Sequence, residues 1–276
     1  MQRVINKLGA TLSASLTLML GVCATVTVFV ATSHLEEDAV HLDFERRAGL
    51  RAFTIQRGLE EAVQVQSVVN HFYATVGDPT REQFESFTRP LLERYPYVRA
   101  FSVQRFVADE DRLVFEALRQ GAKPGFEITA LDGDRPVRAS QQPTYLVVDY
   151  VEPVAGNEAA LGLDVSRNAA ITGALDAAVV SGRPSSTPPI RLAQSGPDER
   201  GLLVIQPVYR GGVQPTDTAA RRALLVGGTT AVLELNGLVQ KILDGAGLMA
   251  DHEIGLRIYV GPQADLQVQT EALVAK

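Results

Sequence analysis

The chain has 276 residues, 26 Lys and Arg against 32 Asp and Glu, and a net charge of −6. Nucleic-acid binding needs clustered basic side chains, and the sequence offers only isolated pairs such as Arg46-Arg47, so that function is excluded. Cys23 is the single cysteine, which excludes an internal disulfide and a cysteine-based metal site.

The first feature along the chain is an uncharged apolar run, residues 8–32. A run of about 25 residues is long enough for a helix to cross a hydrocarbon core of about 30 Å. Arg3 and Lys7 precede it and acidic residues follow it, so residues 1–33 are predicted to be a cytoplasmic tip and a transmembrane helix. We expect an anchor in a bacterial inner membrane, with most of the chain in the periplasm. A cleaved signal peptide ending near residues 31–33 is the alternative.

Residues 34–76 contain no proline and carry apolar residues at helical spacing. This pattern predicts a stalk helix over residues 34–77, about 60 Å long, that ends at Gly77-Asp78-Pro79. Two helices that break near Gly49 or Gly58 are the alternative. The stripe predicted to form a homodimer seam consists of Ala52, Leu59 and Val63.

Beyond residue 79, helical and strand-like segments follow each other without a regular βαβ rhythm. Helices are predicted over 80–95, 109–120 and 168–181. Strands are predicted over 98–107, 126–130, 145–151, 202–208, 223–235 and 253–260. This mixture favours an α+β fold with antiparallel sheets.

Signals of catalysis are weak. The four histidines have no metal-ligand spacing, and the Gly-Gly pairs at 211–212 and 227–228 lack the Lys-Ser/Thr of a phosphate loop. No Gly-x-Ser-x-Gly elbow occurs. We therefore expect a protein that is not an enzyme and holds no metal or cofactor.

Four segments read together are more specific. They are RAFSVQRFVADEDRLVFEAL (99–118), TYLVVDYVEPVAGNEAALGLD (144–164), SGRPSSTPPIRLAQ (181–194) and GLLVIQPVYRG (201–211). Their order, spacing and content resemble the CHASE domain over residues 78–243. That domain is the extracytoplasmic sensor of bacterial sensor histidine kinases, diguanylate cyclases and plant cytokinin receptors.

The resemblance implies a long stalk helix that carries two PAS-like α/β subdomains with antiparallel sheets and dimerises through the stalk. Residues 78–243 would form the sensor domain, and residues 244–276 a C-terminal strand region of the membrane-proximal subdomain. The resemblance also implies a small-molecule pocket. Its positions here would be Thr187, Ala193, Ile205, Leu225 and Gly228, with Ile171 in place of the aspartate that hydrogen-bonds the adenine ring of a cytokinin.

Ile171 cannot accept a hydrogen bond, so the sequence disfavours cytokinin and favours a more apolar or carboxylate-bearing ligand. Three further candidates come from the residues themselves. Tyr145 could stack on a ligand or fill the core, and Asp149 could bind a ligand or face solvent. Arg191 could anchor an anion, or pair with Asp164 or Glu152.

We therefore expect a membrane-anchored extracytoplasmic ligand-sensing domain of a bacterial signal-transduction protein, which passes its signal through the stalk helix. No kinase, cyclase or phosphodiesterase motif follows, so we expect the output domain to lie outside this chain. The alternative is a periplasmic scaffold that dimerises through its stalk without a small ligand. A ligand pocket of about 300 Å³ or more would distinguish the two.

Overall fold

The computed structural model of the chain describes residues 2–120, 125–133, 135–192, 200–235, 237–248, 254–260 and 266–272. Within the helices and strands, the side chains of residues 1–18, 24, 30–31, 33–40 and 254–272 are not described. The chain divides into two units, residues 1–50 and 51–276.

The first element is one long helix, α1 (Gln2–Val76). The predicted long helix is therefore confirmed, and a break near Gly49 or Gly58 is wrong. Gly77 ends the helix because its φ of 87° leaves the helical region, and its amide donates to the Tyr73 carbonyl at 2.9 Å.

The predicted transmembrane segment, residues 8–32, lies within α1, and the side chains of residues 8–18 fall outside the described ones. Six apolar residues of this segment are each 55–69 % exposed: Met19, Leu20, Val22, Val26, Val28 and Phe29. Among the residues that the structure describes, no helix has both the length and the apolarity needed to cross a membrane. The transmembrane segment stays a prediction.

The remaining elements alternate between helix and strand. They are α2 (Arg81–Arg94), β1 (Val98–Ala108), a 3-10 turn (Asp109–Asp111), α3 (Arg112–Arg119), β2 (Thr129–Asp132), β3 (Arg135–Arg138), β4 (Thr144–Glu152), α4 (Ala169–Ser181), β5 (Ser185–Ser186), β6 (Ile190–Arg191), β7 (Arg200–Tyr209), α5 (Thr218–Leu224), β8 (Leu225–Glu234), α6 (Leu238–Gly245), β9 (Ile254–Val260) and β10 (Leu266–Ala272). All strand pairs between these elements are antiparallel. The predicted α+β class with antiparallel sheets is confirmed.

One six-stranded sheet organises the fold. Its order is β4-β1-β8-β7-β5, and β6 also pairs with β7. Within the described residues, these strands form one continuous sheet, because β1 pairs with both β4 and β8, and β8 pairs with β7. The two PAS-like subdomains stay a prediction. The strands near 129 and 254 form separate hairpins, β2-β3 and β9-β10.

Two apolar cores lie on the two faces of this sheet. The first contains α1, α2 and α6 side chains, and α1 contributes Ile55, Leu59, Ala62, Val65, Val69 and Tyr73. The second contains α3 and α4 side chains and residues between 126 and 165. Leu59 has no exposed surface, so the predicted dimer seam through Leu59 is wrong. The stripe packs inward because the sheet needs an apolar cover on this face.

Leu59→Ala is expected to lower the free energy of unfolding by about 2–5 kcal/mol, because a buried side chain is lost and a cavity remains. Urea unfolding of the full chain in detergent measures this effect. Leu113→Ala on α3 is the control, since Leu113 is 72 % exposed and the same truncation there should change stability by less than about 0.5 kcal/mol. Equal effects of the two substitutions would contradict the packing of α1 on the sheet.

Candidate ligand-binding site

Helix α4 covers part of the second core, and both of its ends are fixed. At the start, the Asn168 side chain accepts hydrogen bonds from the amides of Ala170 and Ile171 at 3.1 and 3.3 Å. At the end, Gly182 has a φ of 69° and donates its amide to the Ala178 carbonyl at 2.8 Å. The buried face of α4 consists of Ile171, Ala174, Leu175, Ala178 and Val179.

Arg221 of α5 joins the last turn of α4 to the rest of the domain. Its guanidinium donates to the carbonyls of Val179 at 2.6 Å and Val180 at 2.8 Å. Its other donors reach the carbonyls of Pro215 and Thr216 and the hydroxyl of Thr218. The positive charge lies where the carbonyls of a helix concentrate negative charge, so Arg221 stabilises the position of α4.

The floor beneath α4 is formed by β7 and β8 at Gly228. A Cβ atom at Gly228 would lie 3.4 Å from Leu175 Cδ1 and 3.6 Å from Ile205 Cγ2. Gly228 therefore brings α4 close to the sheet. Of the predicted pocket residues, Ile171 and Ile205 are buried in this core, and Leu225 packs against it half-buried.

A row of buried polar side chains crosses the same face of the sheet beside Gly228. Gln104 Nε2 donates to Ser102 Oγ at 2.9 Å, and Thr230 Oγ1 donates to Gln104 Oε1 at 2.9 Å. Thr230 is paired with Ser102 on one side and with Ile205 on the other, so these side chains point to one face. None of the three residues was predicted as a site residue. Their signal is a polar side chain within a buried strand, at alternate positions of β1 for Ser102 and Gln104 and on the neighbouring β8 for Thr230.

Thr187 lies next to this floor, with no exposed surface. Its amide donates to the Leu203 carbonyl at 2.9 Å, and its hydroxyl accepts from the Leu203 amide at 3.1 Å. Thr187 thus extends the pairing of β5 with β7. Ala193 lies outside the described residues, and Arg191 is exposed on β6.

Tyr145 is fully buried on β4, away from α4, and takes part in a polar network. Its hydroxyl donates to Asp109 Oδ1 at 2.8 Å and accepts from Arg112 Nη1 at 3.0 Å. The hydrogen bonds from Tyr145 and Gln141 lower the pKa of Asp109. Arg112 also lies over the Tyr145 ring at 5.1 Å. The structure therefore places Tyr145 as a core aromatic that positions α3.

Asp149 is 2 % exposed, so the reading in which it faces solvent is wrong. Arg119 of α3 binds both carboxylate oxygens, at 2.6 and 2.8 Å, and Arg105 Nε donates to Oδ2 at 2.9 Å. Arg105 also donates to the Tyr73 hydroxyl of α1 at 2.7 Å. This ion cluster, Asp149, Arg105 and Arg119, connects α3 on one face of the sheet with α1 on the other.

Among solved structures, the ligand-binding domain of the amino-acid chemoreceptor PctC of Pseudomonas aeruginosa PAO1, in complex with GABA, is 11 % identical, with a TM-score of 0.46. The alignment covers 85 % of this chain and 100 % of that one. A search of curated proteins finds no match. The family model of the CHASE domain matches residues 77–269 of this chain. The match extends beyond residue 243, the predicted end of the sensor domain, and reaches β10. The chain therefore belongs to the CHASE domain family of extracytoplasmic sensor domains.

Proposed function

We propose that this chain is a membrane-anchored extracytoplasmic ligand-sensing domain of a bacterial signal-transduction protein, and that its ligand binds between α4 and the sheet. The absence of a side chain at Gly228 carries the proposal, because the side chains nearest to the missing Cβ are Leu175 of α4 and Ile205 of β7, at 3.4 and 3.6 Å. Three positions that the family resemblance assigns to the pocket, Ile171, Ile205 and Gly228, lie on the elements that meet there. A ligand site in a sensor needs such an apolar wall with a few polar groups.

The polar row beside Gly228 indicates the class of ligand. Gln104 has two N–H groups and donates one to Ser102, whose hydroxyl can itself donate. Both groups therefore offer a donor to a carbonyl or carboxylate oxygen. Ile171 and Leu175 on the facing helix contribute only apolar surface. We infer a small ligand with an apolar body and one acceptor group, of which a carboxylate is the strongest.

The proposed route of signalling is α1. Residues 55–73 of α1 pack on the sheet face opposite α4, and the Asp149 ion cluster connects both faces. A ligand shifts a conformational equilibrium only by its different affinities for the two states, so it must favour one arrangement of the sheet against α1. The proposed anchor is residues 1–33, the stalk is 34–77, and the homodimer contact is the exposed face that includes Phe53 and Val68.

A thermal-shift screen of the full chain in detergent against fractions of a bacterial metabolite extract tests the site. Gly228→Leu places a side chain against Leu175 where α4 meets the sheet, whereas Gly173→Leu places the same side chain on the open side of α4, where nothing lies within 4 Å. Gln104→Met removes the hydrogen-bonding amide group with little change in side-chain volume. We expect a fraction that stabilises the wild type and Gly173→Leu but neither of the other two. Equal stabilisation of all four proteins would contradict the proposed site.

Adenine-type cytokinins are expected not to bind. Because Ile171 offers no acceptor, such a ligand would lose about 1–3 kcal/mol from the donor that it leaves unpaired. Isothermal titration calorimetry of the full chain with isopentenyladenine should show no saturable heat. Saturable binding at micromolar concentration would contradict the assignment of Ile171 to the pocket.

A further inference from the structure

An open cavity of about 370 Å³ lies between α2 and the end of β4, outside the site under α4. Its walls carry four charged side chains and a short apolar surface: Arg81, Glu85, Arg89, Glu152, Leu92 and residues 153–155. Helix α2 packs on the α1 side of the sheet through the fully buried Phe84. The cavity is therefore distinct from the α4 site on the opposite face.

The Glu152 carboxylate is the unusual group in this cavity, because its side chain is only 9 % exposed. Its cationic neighbour is Arg81 Nε at 3.7 Å, a separation beyond hydrogen-bond distance. Glu85 is the other carboxylate, and it is paired with Arg89 one turn along α2. A buried carboxylate is stable only when donors replace the water that it has lost.

The electrostatics of Glu152 agree with this geometry. Burial and the repulsion from Glu85 raise the pKa of Glu152, and the attraction of Arg81 and Arg89 opposes this rise. The arginines therefore compensate the charge of Glu152 incompletely. The charges of the two arginines and two glutamates balance, but Glu152 is the most buried of the four side chains. A cationic ligand beside Glu152 would therefore compensate the charge that has lost the most water.

We propose that this cavity is a second ligand site, which binds a small primary ammonium compound with a short apolar chain. The ammonium group donates to the Glu152 carboxylate, from which Arg81 Nε is separated by 3.7 Å. The apolar chain packs against Leu92 and residues 153–155. The site is independent of the ligand proposed under α4.

Calorimetric titration of the full chain in detergent with n-butylammonium chloride at pH 7.5 tests the site, with sodium butyrate as the opposite charge. We expect saturable binding of butylammonium and none of butyrate. Glu152→Gln should weaken the binding at least tenfold, and Ala155→Phe, which fills the cavity from its apolar wall, should abolish it. Glu93→Gln is the matched control. Glu93 is an exposed residue of α2, the helix that forms one wall of the cavity, but it does not line the cavity itself.

Three results would overturn the proposal: no butylammonium binding at millimolar concentration, binding of butyrate instead, or equal binding by the wild type, Glu152→Gln and Ala155→Phe. Thermal unfolding of each variant shows that it is folded. Gly228→Leu should bind butylammonium as the wild type does, so failure of this site is distinguishable from failure of the site under α4.

The affinity should also fall with decreasing pH. Since the pKa of Glu152 is raised above the usual glutamate value, protonation removes the negative charge at a higher pH than for an exposed glutamate. The facing charges are Arg81, Glu85 and Arg89. The titration at pH 4.5 should therefore show weaker butylammonium binding than the titration at pH 7.5, and equal affinity at the two pH values would contradict the role of Glu152.

Discussion

Asp149→Ala is expected to lower the free energy of unfolding by about 3–5 kcal/mol, the effect of removing one partner from a buried ion pair. The Asp149 side chain has no exposed surface, and it binds two arginines from different elements. Without it, Arg105 and Arg119 would repel each other across a partly buried space. Part of the contact of α3 and α1 with the sheet should be lost as well, because these arginines belong to β1 and α3.

Chemical denaturation of the full chain in detergent measures this effect. Asp176→Ala is the matched control, because Asp176 also pairs with an arginine, Arg222, but its side chain is 53 % exposed. Exposed pairs contribute about 0–1 kcal/mol. Asp149→Asn keeps the shape and one acceptor oxygen, so its effect should lie between the two. A change of less than about 1 kcal/mol for Asp149→Ala would contradict the structural role of the ion cluster.

Arg221→Met is expected to lower the free energy of unfolding by about 2–4 kcal/mol, because buried carbonyls would lose their donors. The side chain of methionine fills similar space but donates no hydrogen bond. Val179 and Val180 are at the end of α4, so the last turn of this helix should open more often. Ligand binding under α4 should weaken with it, because α4 forms one wall of the proposed site.

Hydrogen exchange separates local opening of α4 from global loss of stability. In Arg221→Met, exchange relative to the wild type should increase more for amides near residue 181 than for amides in β1. Arg222→Met should leave the exchange of both regions unchanged. Arg222 is the neighbouring arginine of α5, and its side chain is 54 % exposed. Equal behaviour of the two variants would show that Arg221 does not hold α4. Arg221→Lys should slow the exchange near residue 181 only partly relative to Arg221→Met, because an ammonium group cannot reproduce the planar set of donors of a guanidinium.

Much of the fold could be predicted from local patterns in the sequence. Thr80 and Gln83 form a capping box that begins α2, and α4 ends at Ser181, the predicted end, with Gly182 as its C-cap. Other features depend on distant residues. The stripe through Leu59 indicates a buried face but not its partner, which is the sheet. The predicted strand over 223–235 begins only at Leu225. Residues 223 and 224 belong to the short helix α5, which Asp217 caps at its start.

The candidate site was predictable in outline only. Four of the six positions transferred from the family lie on α4, β7 and β8: Ile171, Ile205, Leu225 and Gly228. Thr187 follows β5, and Ala193 lies outside the described residues. Ser102, Gln104 and Thr230 were missed because short polar residues at alternate strand positions are typical of a solvated face. Asp149 was read partly as exposed for the same reason, and its arginine partners are 30 and 44 residues away. The cavity at Glu152 arises from the packing of α2 on β4, which no local pattern shows.

Hydrogen exchange of the full chain, with and without the stabilising metabolite fraction, tests the central claim most directly. We expect slower exchange in α4, residues 169–181, and in the facing segments of β7 and β8 when the ligand is bound. The Gly228→Leu variant should show no such change with the same fraction. Slower exchange confined to other segments, or the same protection in Gly228→Leu, would contradict a ligand site between α4 and the sheet.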